Sequence, residues 1–249
     1  MPSPQSTIAS RGHDDLVVAR IPWTLIAILL LIAAGMYFLD LWISMGFQIY
    51  DPPGDFDQEL RSLQQFGQIG SLVLVSIIVC RLQPPPIRRT LLDLGLATLL
   101  GTLIANVMKT VVGRLRPPFG TPDEFIPIFS SEASTMTWSQ LASMPSSHTM
   151  AAAVLATWMA IVFPRLRWLG FGMVVIVGLA RVRFNNHWPS DIFVGAALGV
   201  LMGNLVIGRL LATRLLDVLW RTFVDQKASP AAPEVAAAIR DRRTADPAG

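Results

Sequence analysis

The chain has 249 residues, 52% of them hydrophobic and 15% charged, with a net charge of +3. Soluble globular domains carry about 25% charged residues, so the composition excludes an ordinary water-soluble enzyme and points to lipid as the surrounding medium. The single cysteine, Cys80, excludes an intrachain disulfide, and the small basic excess reads as membrane topology rather than nucleic-acid binding.

In chain order, a polar tail over residues 1–19 leads into apolar runs at 21–39, 66–82, 91–112, 149–164, 168–180 with its flanks, and 190–212. A bilayer-crossing helix needs roughly 17–25 such residues. The runs predict an all-α integral membrane protein, a bundle of six transmembrane helices forming one domain over 20–215. The first run is too long for a signal-peptide core and ends in "MYFLD" without a small-residue cleavage pattern. Between the first two runs, Phe56, Leu60, Leu63 and Phe66 are spaced as on a short amphipathic surface helix. The loop 119–144 mixes Phe119, Phe125, Ile126, Ile128, Phe129 and Trp138 with polar residues, as a lipid entrance at the interface would. Phe163 to Arg167 reads as a tight turn between the fourth and fifth runs. Residues 216–249 are rich in Ala, Pro and Arg, and their composition predicts a disordered cytoplasmic tail.

Cytoplasmic segments of membrane proteins hold the excess of Lys and Arg. The stretch before the first run, the second-to-third and fourth-to-fifth connections and the C-terminal segment are all basic, and they alternate correctly to share one side. Both termini are therefore expected in the cytoplasm. Trp23, Trp42, Trp168 and Trp188 fall near run ends, as interfacial aromatics do. Two external connections break the charge pattern: one holds Lys109, Arg114 and Arg116, the other Arg181 and Arg183. Those misplaced cations call for a local cause.

Three clusters on that external side supply one. In "KTVVGRLRPP", Lys109 and Arg116 are seven residues apart, close to two helical turns, so one helix face presents both to a common anion until Pro117 ends it. In "SMPSSHTM", Ser146 and Ser147 are N-cap candidates. The helix start they mark offers free amides to a phosphate beside the titratable His148. In "ARVRFNNHWPSD", Pro189 suits a first helical turn, and Asp191 can accept the Nδ1–H of His187, leaving Nε2 as a nucleophile or base. Arg181 can return across the loop as an anion clamp. Taken singly, these clusters also read as lipid-snorkelling cations, a capped helix and a structural His–Asp pair. Together they form an anion site with a nucleophile and an acid, the parts that phosphoryl transfer needs. No acidic cluster suited to a metal accompanies them, so no metal and no cofactor is expected.

The pattern resembles the type 2 phosphatidic acid phosphatase superfamily. Its motifs, K-x6-R-P, then P-S-G-H, then S-R-x5-H-x3-D, correspond to Lys109-x6-Arg116-Pro117, Pro145-Ser146-Ser147-His148 and Ala180-Arg181-x5-His187-x3-Asp191. The resemblance implies that His187 is the nucleophile and forms a phosphohistidine. It makes Asp191 the orienting carboxylate and His148 the acid, then the base. Lys109, Arg116 and Arg181, with Ser146, Ser147 and nearby amides, would bind the phosphoryl oxygens. Ser147 stands where the family has glycine and Ala180 where it has serine. Arg114 and Arg183 match no role. The expected activity is metal-independent hydrolysis of a lipid phosphate or pyrophosphate, with membrane lipids as partners, at the periplasmic face of the inner membrane. Transfer of the phosphoryl group to a second lipid, and lipid binding or transport without catalysis, are the alternatives. The substrate lipid and the oligomeric state are not readable.

Overall fold

A computed structural model of the chain describes residues 16–127, 129–223 and 231–245. The expectations for residues 1–15, for Ile128 and for 224–230 and 246–249 lie outside the described residues. The described chain is helical, with one antiparallel bridge between Arg114 and Phe125. The helices are α1 (Trp23–Tyr37), α2 (Asp40–Ile49), α3 (Phe56–Leu63), α4 (Ile69–Leu82), α5 (Pro85–Val112), α6 (Trp138–Leu141), α7 (Ser147–Val162), α8 (Arg167–Arg183), α9 (Pro189–Val206), α10 (Leu211–Phe223) and α11 (Ala231–Thr244).

Each expected apolar run is occupied by a helix, but not all are long enough to cross alone. By length and composition two helical stretches qualify, Pro85–Val112 and Pro189–Leu219. Two further pairs qualify only when taken as bent spans: α1 with α2, bent by 74°, and the Phe56–Gly67 segment with α4, bent by 66°. That makes two to four candidate spans among the described residues. Large apolar side chains point outward: Leu31, Ile69, Leu74 and Leu99 are all at least 60% exposed. In water such a surface would cost much of the hydrophobic gain of folding. In a bilayer it faces its solvent.

Helix α7 is the central post. The consecutive residues Ala151, Ala152, Ala153, Val154 and Leu155 are all buried, which covers every side of the helix, as befits one wrapped by neighbours. Its closest partner is α9, which meets it along Gly195, Gly199 and Gly203, four residues apart. A Cβ on Gly199 would stand 2.4 Å from the Met150 carbonyl oxygen, and one on Gly195 2.5 Å from that of Ser146. Small residues at this spacing let two backbones approach within a membrane. They fix the α7 start, which carries His148, against the α9 start, which carries Asp191.

Three expectations are corrected here. Residues 216–249 do not form a disordered tail throughout: α10 continues to Phe223 and α11 covers 231–244. Ala232, Val235, Ala236 and Ile239 of α11 are buried, a one-sided apolar stripe that packs into the main core. The polar tail does not extend to residue 19, because Val18 is buried and the Val18 and Ala19 amides both donate to the Gly208 carbonyl, at 2.8 and 3.2 Å. Trp188 is no interfacial aromatic. It is 2% exposed and its indole N–H donates to the Leu115 carbonyl at 2.8 Å, whereas Trp23, Trp42 and Trp168 are exposed as expected.

Candidate active site

The site lies where the end of α5 and the end of α8 meet the starts of α7 and α9. Lys109 comes from the last turn of α5. The helix does not run on to Arg116, contrary to the shared-face expectation. Gly113 adopts φ 58° and closes α5 at Val112 by donating its amide to the Lys109 carbonyl. A left-handed residue at this position is a common helix stop, and glycine takes it without strain. Arg116 returns to Lys109 through the following loop, anchored by its amide to the Gln140 carbonyl at 3.0 Å.

Ser146 is the N-cap of α7. Its Oγ accepts from the Thr149 amide at 3.4 Å and the Thr149 hydroxyl at 3.1 Å, and its own amide donates to the Asp191 carbonyl. The expected phosphate contact from Ser146 is thereby reduced to its hydroxyl proton, and the first-turn amides of Ser147 and His148 are the better donors. His148 sits in that turn, and Gly67 packs so closely that a Cβ there would lie 2.4 Å from the His148 carbonyl oxygen. A cavity of about 420 Å³ opens beside His148 and Ser147, walled by Ile69 and Leu72 of α4 and Thr98 and Thr102 of α5.

The α8–α9 connection is tight. The Arg181 carbonyl accepts from the amides of Asn186 and His187, and Asn185 takes φ 56°, a conformation asparagine tolerates better than most residues. The turn leaves His187 1% exposed. Its Nδ1 lies 2.7 Å from the Ser143 carbonyl oxygen and 3.7 Å from Asp191 Oδ2. The expected acceptor of the Nδ1–H, Asp191, is thus the more distant one, and the nearer acceptor is a backbone carbonyl. A proton on Nδ1 leaves the Nε2 lone pair free. Burial, the dominant effect, opposed by the Asp191 carboxylate, pushes the imidazole down to about 4, so His187 is neutral near pH 7.

Asp191 is fully buried and held on every side. Oδ1 accepts from Arg114 at 2.6 Å; Oδ2 accepts from the Ser143 hydroxyl at 2.6 Å and the Trp188 amide at 3.0 Å. The last bond is the reach of an N3 acid back to its N-cap. Neither Ser143 nor Arg114 carried a role in the motif pattern.

The three cations are left with unused donors. Lys109 is 6% exposed, and its ammonium makes no hydrogen bond or ion pair to the described residues. Arg116 gives one long bond to the Ala142 carbonyl, at 3.4 Å, and Arg181 one to the Gln64 side chain, at 3.3 Å. The Nε of each is buried without a partner. Buried cationic donors are satisfied in nearly all proteins, so two buried, unpartnered Nε groups beside an unpaired ammonium form an arrangement that could receive an anion. Lys109, Arg116 and Arg181 lie within electrostatic reach of His148, and His187 lies within reach of Lys109 and Arg181. Among the described residues no three His, Cys, Asp or Glu side chains gather to hold a metal ion.

Arg183 stays outside this set. It forms a two-pronged ion pair with Asp57, both bonds 2.9 Å, and donates to the Phe47 and Tyr50 carbonyls, tying α8 to the α2–α3 connection. Ala180, where the family has serine, is fully buried in α8.

Fold and site together define an all-α integral membrane protein with a cluster of three cations beside two histidines. The PAP2 superfamily pattern matches residues 90–213. A decaprenylphosphoryl-5-phosphoribose phosphatase of Mycobacterium tuberculosis is 33% identical over 150 residues, 59% of this chain and 76% of that protein. The lipid A 1-phosphatase of Rhizobium etli is 33% identical over 101 residues, a match that spans 39% of this chain and only 40% of the relative's length. Among solved structures, Aquifex aeolicus LpxE aligns with a TM-score of 0.55 at 21% identity, over 68% of this chain and 94% of its own. The PAP2-type phosphatidylglycerolphosphate phosphatase of Bacillus subtilis aligns with a TM-score of 0.54 at 22% identity, over 76% and 94%. The chain belongs to the PAP2 superfamily.

Proposed function

We propose that the protein hydrolyses a lipid phosphate or lipid pyrophosphate through a phosphohistidine on His187, without a metal ion. The observation that carries this reading is the trio of cations, the buried Lys109 and Arg181 and the half-buried Arg116, with donors unused beside a neutral imidazole. Such donors match the equatorial oxygens of a transferring phosphoryl group, and they neutralise its charge as a metal would elsewhere.

In the first step Nε2 of His187 bonds to phosphorus while the bond from phosphorus to the leaving oxygen breaks. His148 delivers a proton to that oxygen. In the second step His148 removes a proton from water, the water oxygen bonds to phosphorus, and the phosphorus–nitrogen bond breaks. Asp191 and the Ser143 carbonyl keep the proton on Nδ1 and balance the charge on the ring.

The substrate is proposed to be membrane-borne. The cavity beside His148 has apolar walls on α4 and opens beside the site, which suits a phosphate held at the motifs with its hydrocarbon chain in the bilayer. The phosphorylated lipids named for the relatives, lipid A and a decaprenyl phosphoribose, are of this kind. The reading has six helices crossing the inner membrane, both termini in the cytoplasm and the site on the periplasmic side, supported by the distribution of arginine.

The test is phosphate release by purified protein in detergent with excess chelator, across a panel of lipid phosphates. Wild type releases phosphate, and His187→Ala and His148→Ala do not. Full turnover by either variant contradicts the reading.

A further inference from the structure

The motif pattern leaves Arg114 unassigned, yet it is the most completely engaged side chain at the site. Its guanidinium is fully buried. Nε and one terminal nitrogen donate to the Pro122 carbonyl, at 3.0 and 2.8 Å. That same terminal nitrogen donates to Asp40 Oδ2 at 2.7 Å, and the other donates to Asp191 Oδ1 at 2.6 Å and to the Ser190 hydroxyl at 2.7 Å. Asp40 is also fully buried. It accepts from the Ser190 amide at 2.8 Å and the Ser190 hydroxyl at 2.5 Å. Asp40 stands at the first residue of α2, at the 74° bend, and outside the stretch that matches the family pattern.

We propose that Arg114, locked by Asp40, is a positioning residue for the reaction: it fixes the Asp191 carboxylate and, through it, the orientation and tautomer of His187. The proposal rests on the reading of His187 as the nucleophile.

The geometry separates this role from simple packing. Asp191 has two oxygens with different duties. Oδ2 faces His187, Ser143 and the Trp188 amide, and Oδ1 faces only Arg114 among its polar partners. Without Arg114 the carboxylate keeps its bonds from Ser143 and the Trp188 amide at Oδ2 but loses the bond that holds Oδ1, so it can turn about Oδ2 and shift the negative charge beside the His187 ring. Asp40 holds Arg114 in turn. A guanidinium facing Asp191 alone would be drawn wholly to it, whereas one shared between two carboxylates at 2.6 and 2.7 Å is held midway. The hub thus couples the α1–α2 bend to the chemistry through one bond to each carboxylate from the two terminal nitrogens of a planar guanidinium, a span that lysine cannot reproduce. It also sets the charge balance around His187, which otherwise faces Asp191 on α9, Arg181 on α8 and Lys109 on α5, with His148 on α7 nearby.

The experiment compares wild type, Arg114→Gln, Arg114→Lys, Asp40→Asn and His187→Ala, purified as full chains in detergent. Three quantities are read: kcat, KM, and the titration and tautomer of His187 by nitrogen-15 NMR of histidine-labelled protein. Arg114→Gln is expected to lower kcat by about 10²-fold, the scale of a catalytic group displaced by an ångström, with KM within about twofold. Asp40→Asn is expected to cost about tenfold, and Arg114→Lys to fall between wild type and Arg114→Gln. The titration of His187 is expected to rise in Arg114→Gln, where a cation is lost, and to fall in Asp40→Asn, where an anion is lost. If Arg114→Gln does not fold, Arg114→Lys carries the test, since an ammonium cannot span both carboxylates. Wild-type kcat and titration in the folded Arg114 and Asp40 variants, with His187→Ala inactive, overturn the proposal. Full turnover by His187→Ala instead overturns the catalytic reading beneath it.

Discussion

The Nδ1 of His187 lies 2.7 Å from the carbonyl oxygen of Ser143, a residue 44 positions earlier in the chain, and 3.7 Å from the Asp191 carboxylate. The same Ser143 gives its hydroxyl proton to Asp191 at 2.6 Å. One residue therefore orients the nucleophile with its backbone and the supporting carboxylate with its side chain. Ser143→Ala keeps the first contact and deletes the second. A hydrogen bond to a buried charge contributes about 1.5–3 kcal/mol. Thermal unfolding in detergent should register a loss of that order, with kcat reduced but not abolished. An unchanged melting temperature would remove Ser143 from the account.

The pH behaviour of His187 follows from its burial. Its imidazole titrates near 4 in the folded protein and near 6.5 when unfolded. As pH falls, the unfolded chain takes up this proton first, so the group costs stability between about 6.5 and 4 and nothing above that window. With three histidines in the chain, nitrogen-15 NMR of labelled protein should show one resonance that is lost in His187→Gln, titrates near pH 4 and carries its proton on Nδ1 at neutral pH. Titration near 6.5 would show that the site is open to water.

The cations should act on phosphate itself. Lys109→Ala, Arg116→Ala and Arg181→Ala each remove a donor aimed at the anion, a loss that in comparable sites costs about 10²–10³-fold in kcat. Each should also raise the concentration of inorganic phosphate needed to inhibit. Arg183, paired with Asp57 away from the cluster, is the control. Arg183→Ala should leave phosphate inhibition as in wild type.

The α7–α9 contact is a backbone contact, and it carries the site. Gly199→Val adds a branched side chain where even a Cβ would lie 2.4 Å from the Met150 carbonyl oxygen. Overpacking of this kind costs about 1–3 kcal/mol, and it pushes the helix bearing His148 away from the helix bearing Asp191. Both stability and kcat should fall. Gly172→Ala, on α8 with open space around it, should be neutral or stabilising by up to about 1 kcal/mol through helix propensity. Equal effects from the two substitutions would show that helix propensity, not packing, governs the response.

How much of this was legible follows from the range of each signal. The three clusters were readable because caps, a Pro-led helix start and an acid four residues after a histidine are local patterns. Their convergence followed from the alternation of basic connections. Arg114 and Asp40 were not readable as a pair, because 74 residues separate them and the contact exists only once α2 folds over the α9 start. The shared helix face of Lys109 and Arg116 was misread because Gly113, a permitted interior residue, instead takes a left-handed turn and stops α5. The α11 helix was hidden by composition. Its buried Ala232, Val235, Ala236 and Ile239 follow the i, i+3, i+4, i+7 spacing of an amphipathic helix, and Pro233 falls in the first turn, where it is tolerated. Periodicity over this short stretch was the better guide, since alanine makes a helix as readily as a linker.

The central claim is that phosphorus becomes bonded to His187, and trapping that bond tests it most directly. A substrate with a good leaving group, such as a nitrophenyl lipid phosphate, does not need a proton from His148 to react. His148→Ala should therefore form the intermediate and fail to hydrolyse it. Alkaline quenching, which preserves phosphohistidine, followed by peptide mass spectrometry should find phosphate on His187 in this variant and none when His187→Ala is added. Phosphate on any other residue, or steady turnover by the double variant, would contradict the account.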